Sequence, residues 1–262
     1  MKGAGAARRG NGFSPEYFPG LAKVEAGSFW FRARSSLLVW ALGYYFPDAE
    51  SLLEVGCGNG FVLGTVRSSL PHLRLSGGDV FMEGLQFGRR RVPTASFTQL
   101  DARQLPFRAQ FDVVGAFDVI EHIEDDRSAL REIFQAIKPG GGLLLTVPQH
   151  RFLWSSLDAY SLHKRRYSAR ELISKTEQAG FELLRATSFV SVLLPVMLLS
   201  RLRWRRKESN LDPMSELRLH RAVDAVCEQI MAVERFFIRK GASFPAGGSL
   251  LVVAKRPESR LS

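Results

Sequence analysis

Leu52-Leu53-Glu54-Val55-Gly56-Cys57-Gly58-Asn59-Gly60 carries an apolar, strand-like run into three glycines at alternate positions, and a helix-type stretch follows from Gly60 to Ser69. A buried strand entering a glycine turn ahead of a helix leaves main-chain N–H groups and bare Cα atoms where a ligand approaches closely. The spacing Gly56, Gly58, Gly60 puts Phe61 where a Gly-x-Gly-x-x-Gly dinucleotide fingerprint needs its last glycine, which disfavours a pyrophosphate. Glu54 stands at the mouth of the turn, where a carboxylate repels phosphate and accepts from an ammonium group. A nucleotide-like ligand with a positive charge is expected.

Outward from this turn, short apolar runs alternate with longer amphipathic ones, the pattern of a mostly parallel sheet covered by helices. Strands are read at 51–55, 74–79, 95–100, 111–117, 142–147, 181–189 and 249–255, and helices at 28–46, 60–69, 82–91, 126–137 and 169–180. The fold class is a doubly wound, seven-stranded α/β sheet. Its domain is expected over 28–189 and 248–256, behind a flexible leader at 1–27. About sixty residues separate the last two strands, where antiparallel neighbours usually need 2 to 5, so 190–247 reads as a helical insertion. Within it Leu219, Val223, Val226, Ile230, Val233 and Phe237 recur at helical spacing as one apolar face that must pack on something.

The chain has 262 residues and 45% hydrophobic content, enough for one elaborated α/β core. Its two cysteines, Cys57 and Cys227, lie far apart and outside any metal-binding spacing, which excludes a disulfide scaffold or structural zinc. The first residues lack the apolar run of a secretory signal, so a cytoplasmic location is expected. A net charge of +10 attracts polyanions, and Arg201, Arg203, Arg205, Arg206 and Lys207 concentrate it directly after the apolar stretch Phe189–Leu199. Those eleven residues fall short of the roughly 20 that a spanning helix needs.

Glu-Val-Gly-Cys-Gly-Asn-Gly at 54–60 resembles the first motif of the class I S-adenosylmethionine methyltransferases, of the bacterial small-molecule type and similar to ubiquinone-pathway O-methyltransferases. Further matches follow in order: Asp79 closing the second strand, Asp101 in QLDARQLPF, FDVVGAF leading into DVIEHIED, and KPGGGLLLTVP. The resemblance implies that Glu54, Gly56, Cys57, Gly58 and Gly60 hold S-adenosylmethionine. It implies that Asp79, with Val80 beside it, takes the ribose hydroxyls, that Asp101 and Ala102 meet the adenine, and that Phe117 borders the site. SFWFRARS is similar to a leader that closes over the cofactor, in which Arg34 pairs with its carboxylate; an exposed helix arginine is the plainer reading. Cys57 reads as a small filler, not a nucleophile.

Methyl transfer from a sulfonium is an in-line displacement, so alignment and exclusion of water matter most, and a base is needed only for a protic acceptor. His122 sits in the loop over the expected methyl group, either as that base or as a residue shaping the loop. Asp118, Glu121 and His122 also match the divalent-ion ligands of some ubiquinone-pathway enzymes, so a metal is left open. A second cluster, LDAYSLHKRRYSARELI, resembles a His-x-x-Arg-Tyr segment of the same group. It makes His163 a further catalytic candidate and Arg166 and Tyr167, with Glu121, candidates to meet the acceptor.

The expected activity is methylation of a small or lipid-linked acceptor, at oxygen. RNA methylation is disfavoured, because Asp118-Val119-Ile120 lacks the Asn/Asp-Pro-Pro-aromatic segment that grips a planar amino group, and no RNA-binding module is appended. A cofactor-binding scaffold without activity is the other alternative. The insertion reads in two ways: an element lying on an anionic membrane surface at the inner face, with Trp204 among its basic residues, or an internal lid.

Overall fold

The computed structural model describes residues 15–204 and 219–258. Seven strands, β1 (Ser51–Val55), β2 (Arg74–Asp79), β3 (Ser96–Gln99), β4 (Phe111–Phe117), β5 (Ile137–Pro148), β6 (Glu182–Phe189) and β7 (Ser249–Lys255), form one sheet in the order β3-β2-β1-β4-β5-β7-β6. All neighbours are parallel except β7, which runs antiparallel to both β5 and β6. The order reverses between β1 and β4, and ligands of open α/β sheets bind in the crevice at the carboxyl ends of the strands at such a switch point.

β1 is buried along its whole length because helices cover both faces. Leu52 joins one core layer with α2 (Phe29–Tyr45), α3 (Phe61–Ser69) and α4 (Met82–Arg91). Its neighbours Leu53 and Val55 join the other, against α5 (Asp126–Ala136) and α7 (Ala169–Gln178). β5 starts at Ile137 instead of Gly142, its register against β4 shifting between Phe111 and Val113.

The leader departs from expectation. Residues 1–14 lie outside the described residues, but 15–27 form a 3-10 turn, the helix α1 (Phe18–Val24) and a second turn, and they are packed down. Phe18 is buried with its carbonyl accepting from Asn59 at 3.1 Å, and the buried Glu25 pairs with Arg91 at 2.8 Å. The segment belongs to the wall of the site.

The insertion contains α8 (Leu194–Trp204) and α9 (Arg221–Arg239). Arg205, Arg206 and Lys207 lie outside the described residues. Asp224 on α9 accepts from the Phe29 N–H and from Arg32, both at 2.6 Å, which fastens α9 to the start of α2. Glu234 accepts from Ser191 and Val192 N–H at 2.7 and 2.8 Å, which fastens the chain leaving β6 to the same helix. Met231 and Ile238 enter the core, but Val223, Val226, Val233 and Phe237 of the expected packing face are exposed.

Candidate active site

A cavity of about 660 Å³ opens at the switch point, bordered by the β1 turn, the ends of β2 and β4, the loop after β4, α6 (Ser156–Tyr160) and the insertion. Its floor follows from local backbone chemistry. Gly56 and Gly58 take positive φ of 71° and 49°, and a Cβ at Gly56 would stand 2.4 Å from the Val119 side chain. Gly60, also left-handed, does not line the cavity: it caps α3, and a Cβ there would meet Gly88 Cα at 3.0 Å, so it serves the packing of α3 on α4. Cys57 lines the floor as a buried filler, and burial together with the Glu54 and Asp79 charges pushes its thiol up.

Glu54 is 3% exposed, and its Oε2 has no hydrogen-bond partner. Burial pushes its pKa up to about 8, against the opposing field of Arg34. A buried carboxylate oxygen without a partner calls for a donor, and a cationic one suits it best. Asp79 accepts from the Gly58 and Phe81 N–H groups, each at 2.9 Å, and lines the cavity beside Val80. Asp101 and Ala102 line it further out, where Arg103 grips Asp101 at 2.6 Å and holds its carboxyl below the usual range. Phe117 closes the far side. These groups fit S-adenosylmethionine: an orphan carboxylate for its ammonium, a strand-end acid for vicinal hydroxyls, and a cradle that tolerates no Cβ at Gly56.

Arg34 is not an exposed helix arginine. It is 7% exposed, lies over the Trp30 ring at 4.5 Å and pairs with Asp118, while its Nε is buried without a partner. Asp118 itself holds φ at 57°, a left-handed position that a non-glycine residue keeps only when its surroundings impose it.

Glu121, His122, His163 and Arg166 also line the cavity. Glu121 is fully buried with both oxygens unpartnered, and burial with the Asp118 charge raises its pKa well above the carboxylate range. His122 departs from the ordinary imidazole expected of it: burial, then the neighbouring His163, push its pKa down to about 3, which makes it a weak proton acceptor. His163 Nδ1 lies 2.8 Å from Asp158 Oδ1. Burial opposes ionisation of Asp158, but hydrogen bonds from His163 and Arg166 outweigh it and hold the carboxyl well below its usual value. Arg166 reaches Asp158 through two nitrogens at 2.8 and 2.9 Å and also donates to the Gln149 carbonyl at 3.1 Å. Its guanidinium is thereby largely committed to holding the loop.

Tyr167 is placed differently from the acceptor-binding role expected of it. Fully buried, it donates to Asp126 at 2.6 Å and does not line the cavity, because the β-bridge between Gln149 and Tyr167 turns it inward under the loop. Asp158 was missed by the motif reading, although Ser155-x-x-Asp158 carries the signal of a capping box, and that box is formed. For a divalent ion the chain offers Glu121, His122 and His163, whose ligand atoms lie within 4.8 Å of one another; Asp118, expected in that set, is engaged by Arg34.

Comparison with known proteins identifies the family. A family model described as a methyltransferase domain matches residues 28–186. A Mycolicibacterium smegmatis protein named "Probable S-adenosylmethionine-dependent methyltransferase" is 30% identical over 167 residues, 63% of this chain and 62% of that protein. The 27-O-demethylrifamycin SV methyltransferase of Amycolatopsis mediterranei is 30% identical over 111 residues, 37% of this chain and 38% of its own. The matches thus span less than two thirds of either relative. A structure of Haemonchus contortus phosphoethanolamine N-methyltransferase 2 in complex with S-adenosyl-L-methionine superposes with a TM-score of 0.56 at 19% identity, covering 83% of this chain and 51% of that one, a likeness of fold. By the family match and the residues around its cavity, the chain belongs to the class I S-adenosylmethionine-dependent methyltransferases.

Proposed function

We propose that the chain methylates a hydroxyl of a small or lipid-linked, largely apolar acceptor, with His163 as the proton acceptor. The observation that carries this is the Asp158–His163 pair in the wall of the cavity that also holds Glu54. Asp158, kept ionised, takes the Nδ1 proton of His163 as its partner and so presents Nε2 as the free acceptor. Bound S-adenosylmethionine supplies a methyl group on a sulfonium. The hydroxyl proton of the acceptor would pass to His163 Nε2 as its oxygen is methylated. Glu121 lies 4.0 Å from that nitrogen with both oxygens unpartnered, and burial raises its pKa, so it stands within reach of the same acceptor. Phe29, Trp30, Phe117, Ile123 and Leu193 give the cavity an apolar lining that suits an uncharged acceptor better than a nucleic acid.

The test is incubation of the chain with isotopically labelled cofactor and bacterial lipid and aqueous extracts, followed by mass spectrometry. Label on an oxygen of an apolar product, lost in His163→Gln, supports the reading; label on nitrogen or carbon, or none, overturns it.

A second reading has its own observation, the grouping of Glu121, His122 and His163. In it the three residues would hold a divalent cation that lowers the pKa of the acceptor hydroxyl. Activity abolished by a chelator and restored by a divalent salt favours this reading over His163 as a free base.

A further inference from the structure

The helix α9 buries Met231 and Ile238 in the core and, unlike an ordinary surface helix, carries a second apolar stripe on its outer face. Four of its charged residues turn toward the protein: Glu234, 0% exposed, accepts from the chain after β6, Asp224 and Glu228 pair with Arg32 of α2, and Arg235 pairs with Glu228. Its apolar stripe points outward, with Val226 at 58% and Phe237 at 50% exposure. A second apolar surface adjoins the same cavity. Val196 on α8 and Val223 on α9 both line the opening and remain exposed, and Phe152 and Trp154 protrude from the turn at Arg151–Leu153, whose Leu153 carbonyl accepts from Arg201.

We infer that this rim docks on an anionic lipid bilayer. Charge selects the occupant. Arg221 stands exposed at one end of the α9 stripe, and Arg239 and Lys240 stand exposed at the other. Cations at the ends of an apolar stripe match headgroup phosphates around buried side chains. A protein partner seated on the rim would close the cavity, since Val196, Leu219 and Val223 form its edge. A bilayer there instead faces the opening with a source of apolar acceptor. None of the helices, searched over the described residues, is long and apolar enough to cross a membrane, so the contact is with the surface. Docking stands independently of methyl transfer; only the delivery of acceptor rests on the function proposed above.

The experiment is co-sedimentation of the full chain with vesicles of phosphatidylcholine alone and of phosphatidylcholine with phosphatidylglycerol. Val226→Glu and Phe237→Glu, neither of which lines the cavity, are the test variants, and calorimetry with S-adenosylhomocysteine checks that each keeps its fold. The expected result is binding to the anionic vesicles only, decreasing with added salt, and weakened about tenfold or more by either variant with cofactor-product affinity unchanged. Wild type left in the supernatant with anionic vesicles overturns the inference. So does light scattering that shows a dimer dissociated by Phe237→Glu, which would assign the stripe to a second copy of the chain. Should vesicle binding hold while labelled methyl transfer fails, docking survives and the proposed function does not.

Discussion

His163 Nδ1 and Asp158 Oδ1 stand 2.8 Å apart, and Arg166 donates to both oxygens of the same carboxylate. Removing the base should lower kcat for a hydroxyl acceptor about 10²- to 10⁴-fold in His163→Gln, with cofactor affinity retained. The deficit should shrink as the pH approaches the acceptor's own pKa. Asp158→Asn should show a similar loss together with a lower melting temperature, because Arg166 is left buried with an amide. Full activity in both variants would remove the pair from the chemistry.

Glu54 links cofactor binding to protons. Its pKa of about 8 keeps the carboxyl mostly neutral at pH 7, and an ammonium group placed against it favours the charged form. Binding should therefore release a proton, and affinity should rise from pH 6 to pH 8. Titration calorimetry in buffers of different ionisation heat measures the release, which should vanish in Glu54→Gln. The stability of the free protein should move the other way. The folded pKa lies above the unfolded value of 4.5, so the unfolded chain ionises first and stability falls as pH rises between about 4.5 and 8.

Asp79→Ala should weaken binding of both S-adenosylmethionine and its demethylated product by about 1 to 3 kcal/mol, since a ribose contact and the anchors of Gly58 and Phe81 are lost together. Equal affinity for wild type and variant in calorimetry would place the ribose elsewhere.

Tyr167→Phe separates a structural from an acceptor-binding tyrosine. The hydroxyl bonds Asp126, which Arg165 and Lys175 also hold at 2.9 and 2.6 Å, so its loss should cost about 1 kcal/mol of stability while KM for the acceptor stays the same. A raised KM with an unchanged melting curve would return Tyr167 to the acceptor site.

The strand and glycine turn at 52–60 were legible because their geometry is local: left-handed φ at Gly56 and Gly58, and a carboxylate one residue from the strand's end, are written in consecutive residues. Asp79 and Asp101 were legible for the same reason, as strand-end acids. The leader was misread because what orders it comes from afar, Asn59 holding the Phe18 carbonyl and Arg91 holding Glu25. His122 was legible in place but not in chemistry, since its lowered pKa comes from burial and from His163, forty-one residues later. For α9 the period of the apolar residues was plain, yet its facing was not. Asp224 and Glu234 find partners in Phe29, Ser191 and Val192, and no helical spacing reveals contacts made with other segments.

Phe189, the last residue of β6, pairs directly with Ser249, the first of β7, so the whole insertion departs from the sheet and rejoins it at a single rung of the antiparallel ladder. Lengthening a segment whose ends are already held together costs little, about 0.6 kcal/mol for each doubling. The glycine turn on the floor of the cavity and the insertion residues that overhang its rim are accordingly separate stretches of chain. What limits exchange of that chain is its side-chain anchors: Asp224 holding the start of α2, Glu234 holding the chain after β6, and Met231 and Ile238 in the core must be kept, so changes of length are tolerated best between those points.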